Sequence, residues 1–158
     1  MSIEVAQRLY ETGRAHALAS DRLYRPAMDD GKERSPENPE LFAFNGTYSL
    51  SIHYLIGLGL ELMLKAAYVA CGGSPDDKHL SREIGHDLVR AFELANERGF
   101  QSDAPRLREI AEHLNEPYKA HYFRYDRPNE FPLPDFTQMI EAMEVLDREL
   151  EALCQHGN

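Results

Sequence analysis

Residues 41–60 read LFAFNGTYSLSIHYLIGLGL, twenty consecutive positions without a formally charged side chain. A lipid-facing helix needs about twenty predominantly apolar residues. Here Asn45, Thr47, Ser49, Ser51 and His53 dilute the first half, and Glu61 and Lys65 interrupt the continuation. The reading that remains is a helix buried at the centre of a bundle, running from about Tyr48 to Cys71 and stopped by Gly72 and Gly73. A rod that is apolar on almost every side requires other helices around it.

Those helices are legible by their period. After Asp87, the residues Leu88, Ala91, Phe92 and Ala95 recur at i, i+3, i+4 and i+7. Gly99 and Phe100 then have the form of a glycine C-cap with its apolar contact. The next predicted helix begins at Ser102 or Asp103 with Pro105 in its first turn, carries Leu107, Ile110, Ala111 and Leu114, and is broken or restarted by Pro117. Asp135 followed by Gln138 resembles a capping box. It opens a terminal helix striped by Phe136, Met139, Ile140, Met143, Leu146, Leu150 and Leu153. An opening helix is predicted from about Ser2 to Arg22, with Val5, Leu9 and Gly13 inward. Two segments read as loops: 26–40, where charges, Gly31 and prolines cluster and mobility is expected, and 127–134, which holds three prolines. With no period-two strand run and no internal repeat, the expected architecture is one all-α domain, a bundle of four or five helices.

The chain has 158 residues, 42% of them hydrophobic and 28% charged, which is the composition of one globular domain and excludes a disordered or collagenous chain. Seventeen Lys and Arg against 27 Asp and Glu leave a net charge of -10. A broadly electropositive surface is excluded, so any contact with nucleic acid has to use a local patch. Cys71 and Cys154 are too few for a disulfide framework and lie in no Cys-His-Asp order, so both are read as small packed side chains suited to a reducing compartment. The start, Met-Ser-Ile-Glu-Val, lacks the basic residues and apolar run of a secretion signal. The expectation is a cytoplasmic protein with no membrane span.

Three constellations bear on chemistry. On the central helix His53, Gly57, Glu61 and Lys65 lie four residues apart and form a polar stripe along an apolar rod, with Glu61 and Lys65 in the favourable order for an ion pair. The stripe is either a ligand-facing seam or an interhelical ion pair with glycines for close packing. The segment 115–127, NEPYKAHYFRYDR, carries Lys119, Arg124 and Arg127 against Asp126 alone, a local balance of +2 in a chain whose remainder sums to -12. If it is helical, Tyr118, His121, Tyr122 and Tyr125 share a face between those cations. Rings that stack on bases beside side chains that pair with phosphates are what a nucleotide or single-strand site requires, while tyrosines at this spacing also suit the edge of a core.

The third constellation is an Arg followed by His after four to six residues, the pattern of a metal-independent ribonuclease in which His moves a proton and Arg stabilises the phosphorane. Arg108 and Arg106 both satisfy it with His113, but roughly 1.7 such pairs arise by chance in this composition. For metals, His79 and His86 with Asp76 and Asp77 are the nearest approach to a cluster, without HExxH or CxxC spacing, and solvated loop residues are the better reading. Neither a phosphate-binding glycine loop nor a Gly-x-Ser-x-Gly elbow is present, so no metal and no cofactor is expected.

Taken in order, GLELMLKAAYVACGG, then GHDLVRAFELANERGF, then LNEPYKAHYFRYDRP resembles the HEPN family, the higher eukaryote and prokaryote nucleotide-binding domain. The similarity runs from about Tyr48 to Pro128. Its motifs fall on Glu61, Lys65 and Ala66, on Gly85 to Leu88, and on Arg124 with Tyr125. Asp87 is placed to cap the helix that Leu88 begins. The resemblance implies a helical bundle, often a homodimer, that binds a nucleotide or RNA, pairs with a nucleotidyltransferase in a toxin and antitoxin system, or cuts RNA with an Arg and His pair. In the cutting members Asn, Asp or His follows the Arg, whereas here Glu109 follows Arg108. The expected site has Lys119 and Arg124 on phosphate, Tyr122 and Tyr125 as stacking surfaces and His86 or His121 as an orienting donor. His53, Glu61, Lys65 and Asp87 would support it. The alternatives are a ribonuclease using Arg108 and His113, and a bundle that only binds other proteins.

Overall fold

A computed structural model describes residues 2–124 and 133–155, with Arg124 described by its backbone. All regular structure among these residues is helical: α1 (Ser2–Arg34), α2 (Pro39–Phe44), α3 (Ser49–Ala70), α4 (Asp77–Glu83), α5 (Leu88–Glu97), α6 (Leu107–Lys119) and α7 (Phe136–Gln155), with a 3-10 turn at Tyr122–Arg124. The all-α class is as expected, but there are seven described helices rather than four or five.

The uncharged stretch becomes α3, the axis of the bundle, packed most extensively against α1 and also against α5 and α7. Its length and composition would suffice to cross a membrane, yet 67% of its most apolar window is buried by protein. Ile52, Ile56, Leu60, Met63 and Leu64 are fully buried on it. A pair of glycines sets the α1–α3 distance: a Cβ on Gly13 would lie 2.9 Å from the Gly59 carbonyl oxygen, and one on Gly59 would lie 3.0 Å from that of Gly13. Only with both side chains missing do the two backbones touch.

The predicted loop over 26–40 is a correction. α1 continues through Pro26 to Arg34, and α2 begins at Pro39, so the connection shrinks to residues 35–38. Proline inside a helix removes one hydrogen bond and crowds the preceding turn. Packing compensates: Tyr24, Ala27 and Met28 lie against the core, and buried Gly31 lets the Pro39 backbone cross directly over it. The charges that resemble a loop line the solvent side of this helix as the pairs Arg25–Asp21, Lys32–Asp29 and Arg34–Asp30.

Caps fix the remaining elements. Asn38 accepts from the Leu41 N–H, Asp76 from His79, and Asp87 from Arg90, each opening a helix. α6 starts at Leu107 instead of Ser102 or Asp103, because the Ser102 hydroxyl and the Asp103 N–H both donate to Glu149 of α7. Pro117 does not break α6 but sits buried in its last turns. On α7, Asp135 accepts from the Gln138 N–H at 2.8 Å as the capping pattern requires, and Glu40 of α2 accepts from the N–H groups of Phe136 and Thr137. The α7 stripe is buried from Phe136 to Leu150, with Leu153 only partly covered. Gly99, at φ 96°, ends α5 as expected and turns Phe100 into the core. Most of the Pro-rich segment 127–134 lies outside the described residues.

Candidate functional site

The α3 stripe divides into two environments. His53 is fully buried, its ring centroid 5.0 Å from Phe44, 5.2 Å from Phe123 and 4.5 Å from Phe136. Burial pushes its pKa down to about 4, so the ring is neutral, and Nδ1 donates to the Ser49 carbonyl at 2.7 Å. Nε2 has no hydrogen-bond partner among the described residues. Two helical turns, about 12 Å, separate it from Glu61, so His53 belongs to the aromatic core and not to the cluster that follows.

Glu61 is the hub of that cluster. Its Oε1 accepts from Lys65 Nζ at 2.6 Å, and its Oε2 accepts from the Tyr118 hydroxyl at 2.6 Å and from His86 Nδ1 at 2.9 Å. Lys65 also donates to the Gly85 carbonyl at 2.7 Å. Both charges are more than nine-tenths buried. Burial alone would raise the Glu61 pKa, but the donors Lys65, Tyr118 and His86 outweigh it and hold the carboxyl below its ordinary value. An ionised Glu61 requires the proton of His86 to sit on Nδ1. The His86 side chain is 55% exposed, and its Nε2 has no partner among the described residues.

The neighbouring residues are fixed from α6. Asp87 caps α5 through Oδ1 and accepts from Lys119 Nζ at 3.2 Å through Oδ2. Burial raises its pKa, and the Arg90 N–H and Lys119 overcome that and lower it. Lys119 also lies 3.7 Å from Glu116. Asn115 accepts from the Leu88 N–H at 2.8 Å, tying the start of α5 to α6. α6 ends at Lys119, His121 adopts φ 58°, and Tyr122 opens the 3-10 turn. The continuous helical face expected from Tyr118 to Tyr125 is therefore interrupted. Tyr118 is buried on Glu61, while the half-exposed His121 ring stands edge-on to His86 at 5.5 Å.

Glu61, Lys65, His86, Asp87, Lys119 and His121 thus come together where α3, the turn before α5 and the end of α6 meet, with Tyr122 half-buried on the next turn. The Arg124 side chain and Tyr125 lie outside the described residues. Asn115 joins the cluster without having been assigned to it from sequence, and Tyr118, expected on one face with His121, Tyr122 and Tyr125, joins it as a buried donor to Glu61. The signal that could have found Tyr118 is Gly57, one turn before Glu61, which leaves room for a ring from another helix.

Arg108 and His113 lie on α6 about 140° apart around the helix. The Arg108 guanidinium turns onto Glu112 at 2.9 Å and Glu93 at 3.9 Å, and Arg106 onto Glu109 at 2.5 Å. His113 keeps its Nδ1 shielded and unpartnered among the described residues. His79 stacks on Tyr68 and shares a 3.2 Å hydrogen bond with its hydroxyl, so it and His86 serve different partners. Burial pushes up the thiol pKa of both Cys71 and Cys154, which makes them poor nucleophiles. No family model, no curated protein and no solved structure matches this chain.

Proposed function

We propose that the chain binds the phosphate of a nucleotide or of RNA at the polar end formed by His86, His121 and Lys119. The observation that carries this reading is the His86 ring, oriented by a buried carboxylate through Nδ1 and half-exposed on its other side. A ring held this way offers Nε2 at a defined position without paying to order it on binding. Lys119 is partly exposed beside it, and its ties to Asp87 and Glu116 are surface interactions of small worth that an anion can compete with. The HEPN resemblance adds Arg124 as a further phosphate partner and Tyr122 and Tyr125 as stacking surfaces. In a chain of net charge -10, a site of this kind selects a single phosphate group or a short strand rather than a duplex.

The test is a melting-temperature and titration series with mononucleotides, dinucleotides and short single-stranded RNA. A ligand-dependent rise in Tm is expected, with affinity lost by about tenfold or more in Arg124→Ala and in Lys119→Ala while the ligand-free Tm stays near wild type. Absence of any phosphate ligand that shifts Tm overturns the reading.

A further inference from the structure

We propose that the groove between α1 and α7 is a docking site for a cationic amphipathic helix of a partner protein. Two hollows lie in line along it. One, about 480 Å³, is bounded by Gln7, Tyr10 and Leu18 on α1 and by Glu151 and Gln155 on α7. The other, about 50 Å³, is floored by Ala17, Ile140 and Met143. Together they run from Gln7 to Asp21 and from Ile140 to Gln155, roughly 20 Å of each helix, which is the length of about four helical turns. None of the lining residues belongs to the phosphate site proposed above.

The occupant follows from charge and apolarity together. Leu18 stands 48% exposed in the groove, an apolar anchor with no cover. Around it lie Glu11, Asp21, Glu144, Asp147 and Glu151 against two cations, Arg14, held by Asp147 at 3.1 Å, and Arg25 at the rim, 2.7 Å from Asp21 and 3.9 Å from Glu144, which leaves an excess of negative charge. At one end Asp21 gives Oδ2 to Arg25, while its shielded Oδ1 accepts no hydrogen bond among the described residues. A second copy of this chain is disfavoured, because an isologous contact would set the same excess of negative charge against itself. Nucleic acid and anionic membranes are disfavoured for the same reason. A helix with leucine-like residues at i, i+3 or i+4 and i+7, flanked by Lys and Arg, matches both features.

A labelled Leu/Lys amphipathic peptide of about 18 residues tests this by fluorescence anisotropy near 0.15 M salt. Its controls are a scrambled peptide of equal charge and no apolar face, and a Leu/Glu version. The expected result is saturable binding of the amphipathic peptide alone, weakened about tenfold or more by Leu18→Asp, although that change makes the groove more negative, and also by Glu11→Lys with Glu151→Lys. All three positions are exposed, so melting curves should be unchanged. Absence of peptide binding, equal binding of the scrambled peptide, or indifference to Leu18→Asp overturns the proposal. A dimer on sizing that Leu18→Asp disperses overturns it in favour of a second copy.

Discussion

The ring of Tyr118 lies on the bare backbone of Gly57, and from there its hydroxyl reaches the Glu61 carboxylate at 2.6 Å. The glycine one turn before the acid is what admits a tyrosine from α6 into the α3 seam. A Cβ on Gly57 would stand 2.5 Å from the ring. Gly57→Ala should therefore destabilise the fold by about 1–3 kcal/mol, the scale of overpacking in a filled core, despite alanine's better helix propensity. Urea denaturation measures it, and the cost should shrink in a Tyr118→Ala background. An equal cost in both backgrounds would mean that the ring is not what the methyl group meets.

The buried Glu61–Lys65 pair should show the asymmetry of its kind. Glu61→Gln leaves the Lys65 ammonium buried without its counter-charge and is expected to cost about 3–5 kcal/mol. Adding Lys65→Met should restore much of that loss, since an apolar chain of similar volume replaces the stranded charge. Equilibrium unfolding of the single and double variants decides it, and a double variant no better than the single one would refute this account.

Acid should weaken the fold in two separate windows. The His53 pKa of about 4 lies below its ordinary 6.5, so between those values the unfolded chain takes up a proton that the folded chain refuses. Stability from this residue is complete above pH 6.5 and falls by about 3 kcal/mol as the pH drops to 4. The lowered carboxyl pKa values of Glu61 and Asp87 act in the same sense over a lower window: their contribution is present above the ordinary carboxylate range and is lost as the pH falls through and below it. His53→Phe, which suits the surrounding rings, should flatten the slope between pH 6.5 and 4 and leave the carboxylate loss below that range in place. An unchanged slope in that variant would assign the acid sensitivity elsewhere.

RNA or nucleotide affinity, once detected, should respond to the polar end and not to the outer face of α6. Arg108→Ala removes a guanidinium occupied by Glu112 and Glu93 and is expected to leave affinity unchanged. Lys119→Ala should lower it and reduce the salt slope by about 0.7 for a single strand. A gel assay without divalent metal, comparing wild type with His113→Ala, separates binding from cleavage. Cleavage that disappears in that variant would restore Arg108 and His113 as a working pair.

α3, apolar on almost every side, and α5, α6 and α7, with their apolar period, were legible in the sequence together with the caps at Asp87 and Asp135. The second half of α1 was not, because Pro26, Gly31 and the charges carry loop chemistry, and packing against α2 and the core outweighs it. Helices of six or seven residues such as α2 and α4 are too short for periodicity to register. In the polar cluster, local spacing marked Glu61 and Lys65, whereas His86 and Asp87 came in through the Gly-His-Asp-Leu motif of the HEPN resemblance. Gly57 marks room for a ring beside Glu61, but the choice of Tyr118, 57 positions away, to fill it depends on how α6 crosses α3. The interruption at His121 likewise follows from how α6 ends, not from the spacing of the tyrosines.

Because α3 is covered partly by α7, its apolar side must wait for some sixty-five residues of intervening chain before it can be closed. At ribosomal speeds of about 5–20 residues per second, that delay is on the order of several seconds. During it the side of α3 that α7 will cover stays open while α1 and then α5 shield the others, a form to which a chaperone or an aggregating neighbour would have access before α7 arrives.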